Sequence, residues 1–420
     1  MSVQLSNRKI LAGFIVLITV ITVNQWSVMP IGNTYTDWTL YALSFFIIFR
    51  LQKDYRLQIN NQYFTPIYIY LIWVTICIVR GFFAAEFYWD FKNLISAGFT
   101  LLLVCTLFVF THPALTWQVL RTWIKYALPL FGIIILFIST ESYGYYLVPI
   151  SFFSLFYPSL TPKWKFIIIG ISLLVIFVDF DARSNVIKFM VPLLFSFLIF
   201  FEKFLHSKYY KLLFKIMFIA PILLLVLGIS DIFNIFKMDD YITGTYKETK
   251  VMDGELRDVS LTADTRTFLY KEVILSAINN DYVLFGRTPA RGNDSEYFGT
   301  HAAEELGTKR YERYGNEVSM LNIFTWIGLI GVILYTWIFY KAVDLAITQS
   351  NNHYLKIIGI YLAFRYMYAW VEDFSRFDIN NVMLWLMISM CYSVQFRKMT
   401  DYAFKNWIHS VLNLKILKIV

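Results

Sequence analysis

Twelve apolar stretches follow one another along this chain, each close to the roughly 20 residues that a helix needs to cross a bilayer core. They cover about 10–29, 34–51, 64–81, 93–111, 123–141, 143–159, 165–181, 184–202, 212–234, 318–340, 355–372 and 380–396 of the 420 residues. Inside hydrocarbon the backbone has no water to bond, so each stretch must close its hydrogen bonds within itself as a helix. The sequence therefore predicts an all-α polytopic membrane protein with about 12 transmembrane helices. Residues 1–234 carry helices one to nine, 235–317 form a loop, 318–396 carry helices ten to twelve, and 397–420 form a tail.

The distribution of charge orients this bundle. Only 16% of the residues are charged, against about 25% in soluble domains. The formal charge of +8 does not point to nucleic acid, because the cations sit at the ends of apolar runs. If both termini are cytoplasmic, the inner face collects Arg8, Lys9, Arg50, Lys53, Arg56, Arg121, Lys125, Lys163 and Lys165. It also collects the cluster from Lys203 to Lys215, then Lys341, Lys356, Arg397 and Lys398. The outer turns hold few cations, with Arg80, Lys92, Arg183 and Lys188 as exceptions. This asymmetry places the long loop on the periplasmic or extracellular side. Cys77, Cys105 and Cys391 all lie in apolar runs and suggest no disulfide framework. The first apolar run is too long for a cleavable signal.

The loop between helices nine and ten is the one long polar interval, from Asp231 to Glu317. Asp264 or Thr265 can cap a helix carrying Leu269, Val273 and Ala277, which ends at Asn279-Asn280-Asp281 and Gly286. A second helix is expected between Thr300 and Tyr314, where Glu304, Glu305, Lys309 and Glu312 are helix-spaced. In the tail, Phe404, Trp407, Ile408, Val411 and Leu412 form a stripe with Lys405 nearby, which reads as an amphipathic helix on the cytoplasmic surface.

Familiar nucleotide, hydrolase and zinc motifs are absent from the sequence. Neither a metal nor an organic cofactor is called for, and chemistry is expected in or on the membrane. Ionisable residues in or beside membrane spans are the candidates for function. They are Arg80 with Glu86 and Asp90; Asp179, Asp181 and Arg183; Arg365 with Glu372 seven residues on; and Glu317 with Glu372, Asp373, Arg376 and Asp378. All of them fall toward the loop side. Each is also readable as a structural ion pair. His301, the only histidine of the loop, reads first as an exposed loop residue. Arginines and carboxylates at this level suit a lipid pyrophosphate and a sugar hydroxyl, the first held by guanidinium and the second activated by a base.

Three local patterns carry a resemblance. They are Asp181-Ala-Arg183-Ser184 at the start of an apolar span; Arg266-Thr-Phe-Leu-Tyr270 followed by Leu284-Phe-Gly286-Arg287; and Asn316-Glu317 ahead of Trp326-Ile-Gly328-Leu-Ile-Gly331. In this order they resemble the O-antigen polymerase and ligase superfamily, the Wzy-like bacterial membrane glycosyltransferases. The likeness covers mainly residues 179–340. It implies transfer of a glycan from a polyprenyl-pyrophosphate donor to a lipid-linked glycan acceptor, as in O-antigen, capsule or exopolysaccharide synthesis. Arg183 and Arg266 would bind the pyrophosphate and share one cavity with Glu317, the candidate general base, with His301 in reserve. Arg80, Arg287, Asn316, Arg365 and Glu372 would line the substrate cavity. Partners would be the lipid-linked glycan, the bilayer, a chain-length regulator and a flippase. A ligase acting on another acceptor is the near alternative. A transporter of a lipid-linked or anionic substrate is the distant one, and a membrane scaffold the third.

Overall fold

The computed structural model describes residues 2–55, 61–179, 182–201, 207–230, 232–237, 247–252, 255–260, 266–308 and 310–414. Up to the loop the chain forms α1 (Ser2–Thr22), α2 (Thr34–Tyr55), α3 (Asn61–Ala84), α4 (Tyr88–Leu102), α5 (Leu107–Phe110) and α6 (Pro113–Thr122). There follow α7 (Leu128–Ile134), α8 (Tyr143–Tyr146), α9 (Val148–Ser154), α10 (Pro162–Val178), α11 (Arg183–Ser196) and α12 (Ser207–Ile229). The loop holds β1 (Lys247–Met252), β2 (Glu255–Ser260), α13 (Thr267–Asn279), β3 (Asn293–Asp294), α14 (Gly299–Leu306) and β4 (Glu312–Arg313). The chain closes with α15 (Ser319–Gln349), α16 (His353–Tyr368), α17 (Ile379–Tyr392), α18 (Val394–Lys398) and α19 (Asp401–Leu412).

Among the described residues, six helical segments are long and apolar enough to cross a membrane: Asn7–Trp26, Tyr63–Ala84, Tyr88–Phe110, Arg183–Phe200, Lys208–Ile229 and Ser319–Gln349. The other apolar stretches of the sequence are shorter, broken or more polar. The runs at 123–141 and 143–159 divide into short pieces around a π-turn at Trp123–Ala127 and the prolines Pro149 and Pro158. A proline supplies no amide to the helix ladder, so such breaks follow from the residues themselves.

Side chains report the surroundings of each helix. Ile72, Ile76, Val79 and Phe83 of α3, and Leu212, Ile216, Ile219, Leu223 and Val226 of α12, are exposed at helical spacing. Contiguous apolar faces of this size are not left to water by monomeric soluble proteins. This is a membrane protein. By contrast, every residue of α17 is buried. At 14 residues it is only about 21 Å long. That suffices because its neighbours, α9, α15 and α16, surround it with protein instead of lipid.

α15 is not continuous. Gly328 has φ 69° and ψ −175°, a conformation essentially restricted to glycine. The loop turn at Val283–Arg287 enters this break and occupies its freed backbone groups. Leu329 N donates to Val283 O at 2.9 Å, Ile330 N to Leu284 O at 3.3 Å, and Arg287 N to Thr325 O at 2.7 Å. From α3, Trp73 Nε1 reaches Ile327 O at 2.9 Å and Arg80 Nη1 reaches Phe285 O at 2.8 Å. Gly286, at φ 72°, sits against Gly328 so closely that a Cβ on either would overlap the other's backbone. The glycines of Gly286-Arg287 and Trp326-Ile-Gly328 are therefore the two halves of one backbone contact. Gly328→Ala is expected to cost roughly 2–5 kcal/mol, from forbidden dihedrals plus overpacking. Thermal unfolding in detergent should show it beside Gly13→Ala, whose site has nothing within 4 Å and which should lose nothing.

Two expectations are corrected. The second loop helix ends at Leu306, because Gly307 turns left-handed at φ 63°; Glu312 and Arg313 then pair as a strand with Asp294 and Asn293. The tail stripe is buried in protein: Phe404 stacks on Tyr354 and Trp407 Nε1 donates to Pro113 O at 3.1 Å. That apolar face is taken by the bundle and not by lipid. Arg397, one of the inner-face cations, is itself buried, with its guanidinium over the Tyr63 ring.

Candidate functional site

Helix alternation brings the ends of α1, α3 and α8 and the starts of α2, α4 and α15 to the side where the loop packs. There all of these except α3 border a polar cavity of about 720 Å³. Its walls come from α1 and the turn after it, from α2, α4, α8 and the start of α15, from Arg266, from the segment 313–317 and from the turn joining α16 to α17.

The loop wall is held by an ionic scaffold. Asp90, fully buried at the start of α4, accepts from Arg310 Nη2 at 2.7 Å and Tyr314 Oη at 2.6 Å. It also accepts from the backbone amides of Glu86 at 2.8 Å and Phe87 at 3.2 Å. Burial of Tyr314 and its bond to Asp90 push the phenol pKa far up, so it stays a donor. Behind this contact, Arg287 pairs with Asp294 at 2.6 Å and with buried Glu312 at 3.2 Å, and Arg291 binds Glu312 as well.

Three guanidinium groups line the cavity, from Arg266, Arg313 and Arg376. Five carboxylates face them, from Asp37, Glu317, Glu372, Asp373 and Asp378. Arg266 ion-pairs with Glu317 and donates from Nε to Val371 O at 3.3 Å. Arg313 reaches the other oxygen of Glu317 at 3.4 Å. Arg376 pairs with Asp373 at 2.9 Å. Amides and rings complete the surface: Asn93, Asn316 and Asn322, with Trp26 stacked on Tyr145 at 4.6 Å. The site thus offers planar cations for an anion and carboxylates, amides and aromatic faces for hydroxyl-bearing rings.

Burial raises the pKa of Glu372 above the usual carboxylate range, against the pull of Lys188 and Arg266. Burial also pushes Asp378 up to about 6, although Asn381 N, at 2.7 Å, and Arg376 favour its charged form. For such a group the folded state holds its proton longer than the unfolded chain, whose Asp titrates near 4. Stability from this source is full below about pH 4 and is lost as the pH rises through 6. Asp378→Asn keeps the helix cap and removes the ionisation. It should raise the stability to unfolding at pH 8 by on the order of 2 kcal/mol, read as a higher melting temperature, and leave it unchanged at pH 4.

The sequence candidates divide. Arg266, Asn316, Glu317 and Glu372 line the cavity. Arg183 does not: it opens α11 with its side chain exposed, while the next residue, Ser184, reaches Glu372. One helical turn on, it is Lys188 that is buried, its Nζ 3.9 Å from the Tyr145 ring and 3.2 Å from Ser184 Oγ. The expected Arg365–Glu372 pair is not formed. α16 ends at Tyr368, so the seven-residue helical spacing fails before Glu372, whose carbonyl turns back onto Ser319 N at 3.2 Å. Arg365 is buried instead against Asn380 Oδ1 at 3.0 Å and the Phe374 ring. Arg80 and Arg287 belong to the scaffold. His301 is 80% exposed on α14, beside Glu305 and away from the cavity lining. Asp181 lies outside the described residues. Arg313, Tyr145 and Asn322 went unnoticed in the sequence; the spacing of Arg313 four before Glu317 was the one available signal.

A second cavity, of about 660 Å³, is mostly apolar and lies among α12, α13 and the end of α16. Lys237 and Lys271 are its charged lining residues. It adjoins the polar cavity along the chain, because Thr267 and Val371 line the one and Arg266 and Glu372 the other. The chain matches no family model, no curated protein and no solved structure.

Proposed function

We propose that this chain is a Wzy-like polysaccharide polymerase of about twelve spans, acting at the outer face of a bacterial inner membrane. It transfers a glycan from a polyprenyl-pyrophosphate donor to a hydroxyl of a lipid-linked glycan acceptor. The observation that carries the reading is the pairing of a polar cavity holding arginines, carboxylates, amides and rings with an adjoining apolar one. An amphiphile with a phosphate head, sugars and a long hydrocarbon tail has that same division. Pyrophosphate would compete with Glu317 for Arg266 and Arg313, and bidentate guanidinium contacts favour phosphate oxygens. Sugar hydroxyls would donate to the carboxylates left free. Arg183, exposed beside the site, could still meet a phosphate as the donor enters. A chain-length regulator and a flippase remain the expected partners.

Deletion of the gene, with analysis of surface polysaccharide, tests this. Loss of long chains with single repeats retained is the expected result. Accumulation of lipid-linked polymer would identify a ligase instead, and unchanged polysaccharide would remove the proposal. Orientation has its own test. Ser260→Cys in β2 should react with an impermeant thiol reagent in whole cells, and Ser207→Cys at the start of α12 should not.

A further inference from the structure

The cavity contains two kinds of glutamate. Glu317 stands at the rim, 52% exposed, and two guanidinium groups occupy its oxygens. A carboxylate held in that way has little left to offer a hydroxyl proton, and its arginines are needed elsewhere. Glu372 lines the same cavity, is half-buried, and is held from behind by α11. There Ser184 touches its carboxylate, Lys188 lends positive charge, and the Lys188 ammonium is itself fixed over the Tyr145 ring. Desolvation makes the Glu372 carboxylate a stronger base while the charge of Lys188 opposes its protonation, the balance a general base requires.

We propose that Glu372, not Glu317, takes the proton of the acceptor hydroxyl, with Lys188 and Ser184 as its positioning residues. This assignment rests on the reading of the cavity as a glycosyl-transfer site. The acceptor oxygen bonds to the donor's anomeric carbon as the bond from that carbon to the pyrophosphate breaks. The electron pair departs with the pyrophosphate, whose charge Arg266 and Arg313 receive, and the acceptor proton moves to Glu372 and then to solvent. The charged and titratable groups facing Glu372 are Lys188 from α11, Arg266, Asp373 on its own turn, and Tyr145 and Tyr368. Glu317 keeps a different task, holding Arg266 and Arg313 in place until the donor arrives.

The test uses the full-length protein in proteoliposomes, with a synthetic polyprenyl-pyrophosphate oligosaccharide as donor and acceptor. Glu372→Gln should lower kcat about 10²–10⁴-fold while KM stays within about threefold. Glu372→Asp should recover part of that loss, showing that the site is folded. Glu317→Gln should act mainly on KM. Lys188→Met should move the acid limb of kcat/KM to higher pH, because Glu372 loses a stabilising cation, and Lys188→Arg should restore it. Transfer by Glu372→Gln within tenfold of wild type overturns the assignment alone, and an unmoved acid limb in Lys188→Met overturns the positioning role. No transfer by the wild type overturns the proposed function and this assignment with it.

Discussion

Arg266→Lys should lower turnover by about 10²–10³-fold, as loss of a charge-stabilising donor does elsewhere. Arg266 uses one nitrogen on Val371 O and another on Glu317, and so spans the turn after α16 and the segment before α15. Arg266 lines the polar cavity, and Val371, whose carbonyl it bonds, lines the apolar one. A lysine keeps the charge but presents one compact ammonium, which cannot bridge two partners or grip a phosphate bidentately. Glycosyl transfer in proteoliposomes is the measurement, with donor binding followed separately. Turnover within threefold of wild type would show that only positive charge matters at this position.

Asp90→Ala should cost about 3–5 kcal/mol, the range for stripping one partner from a buried ion pair. Four donors converge on this fully buried carboxylate, two of them from the loop and two from backbone amides just before α4. Without it the Arg310 guanidinium loses its shortest ion pair, keeping Glu86 at 3.6 Å and Glu312 at 4.0 Å, and Tyr314 loses its acceptor. Because Tyr314 and its neighbours through Glu317 line the cavity, the substitution should also open that wall. Thermal unfolding in detergent measures the first effect, and limited proteolysis between 308 and 318 the second. Glu86→Ala is the control, since Glu86 is 64% exposed and lies 3.6 Å from Arg310. An exposed pair of this kind is worth about 0–1 kcal/mol.

What the sequence determined by itself was the class of molecule and one end of it. Long apolar runs force helices, because hydrocarbon offers the backbone no other partner. Polar and ionisable residues in such a chain gather where they can be paired, so the groups around Arg80, Asp90, Glu317 and Glu372 could be assigned to one side without knowing any contact. Arg266, Asn316, Glu317 and Glu372 do meet in one cavity. The glycines 286 and 328 were also visible as a pattern, although their purpose was not.

Tertiary structure decided which member of each group faces the cavity. Arg183 and Lys188 differ by little more than one helical turn, yet one is exposed and the other buried against Tyr145. Periodicity gives the face of a helix but not its rotation against a neighbour, and that rotation chose Lys188. Arg365 and Glu372 are seven apart, but the helix stops between them, so a rule that holds only inside a helix gave a false pair. Arg287 and Arg291 were as eligible as Arg266 by residue type and became scaffold because Glu312 and Asp294 were folded onto them. Charge and hydropathy act locally along the chain and are legible there. Which cation meets which carboxylate depends on contacts between residues far apart in sequence, and only the packed bundle settles them.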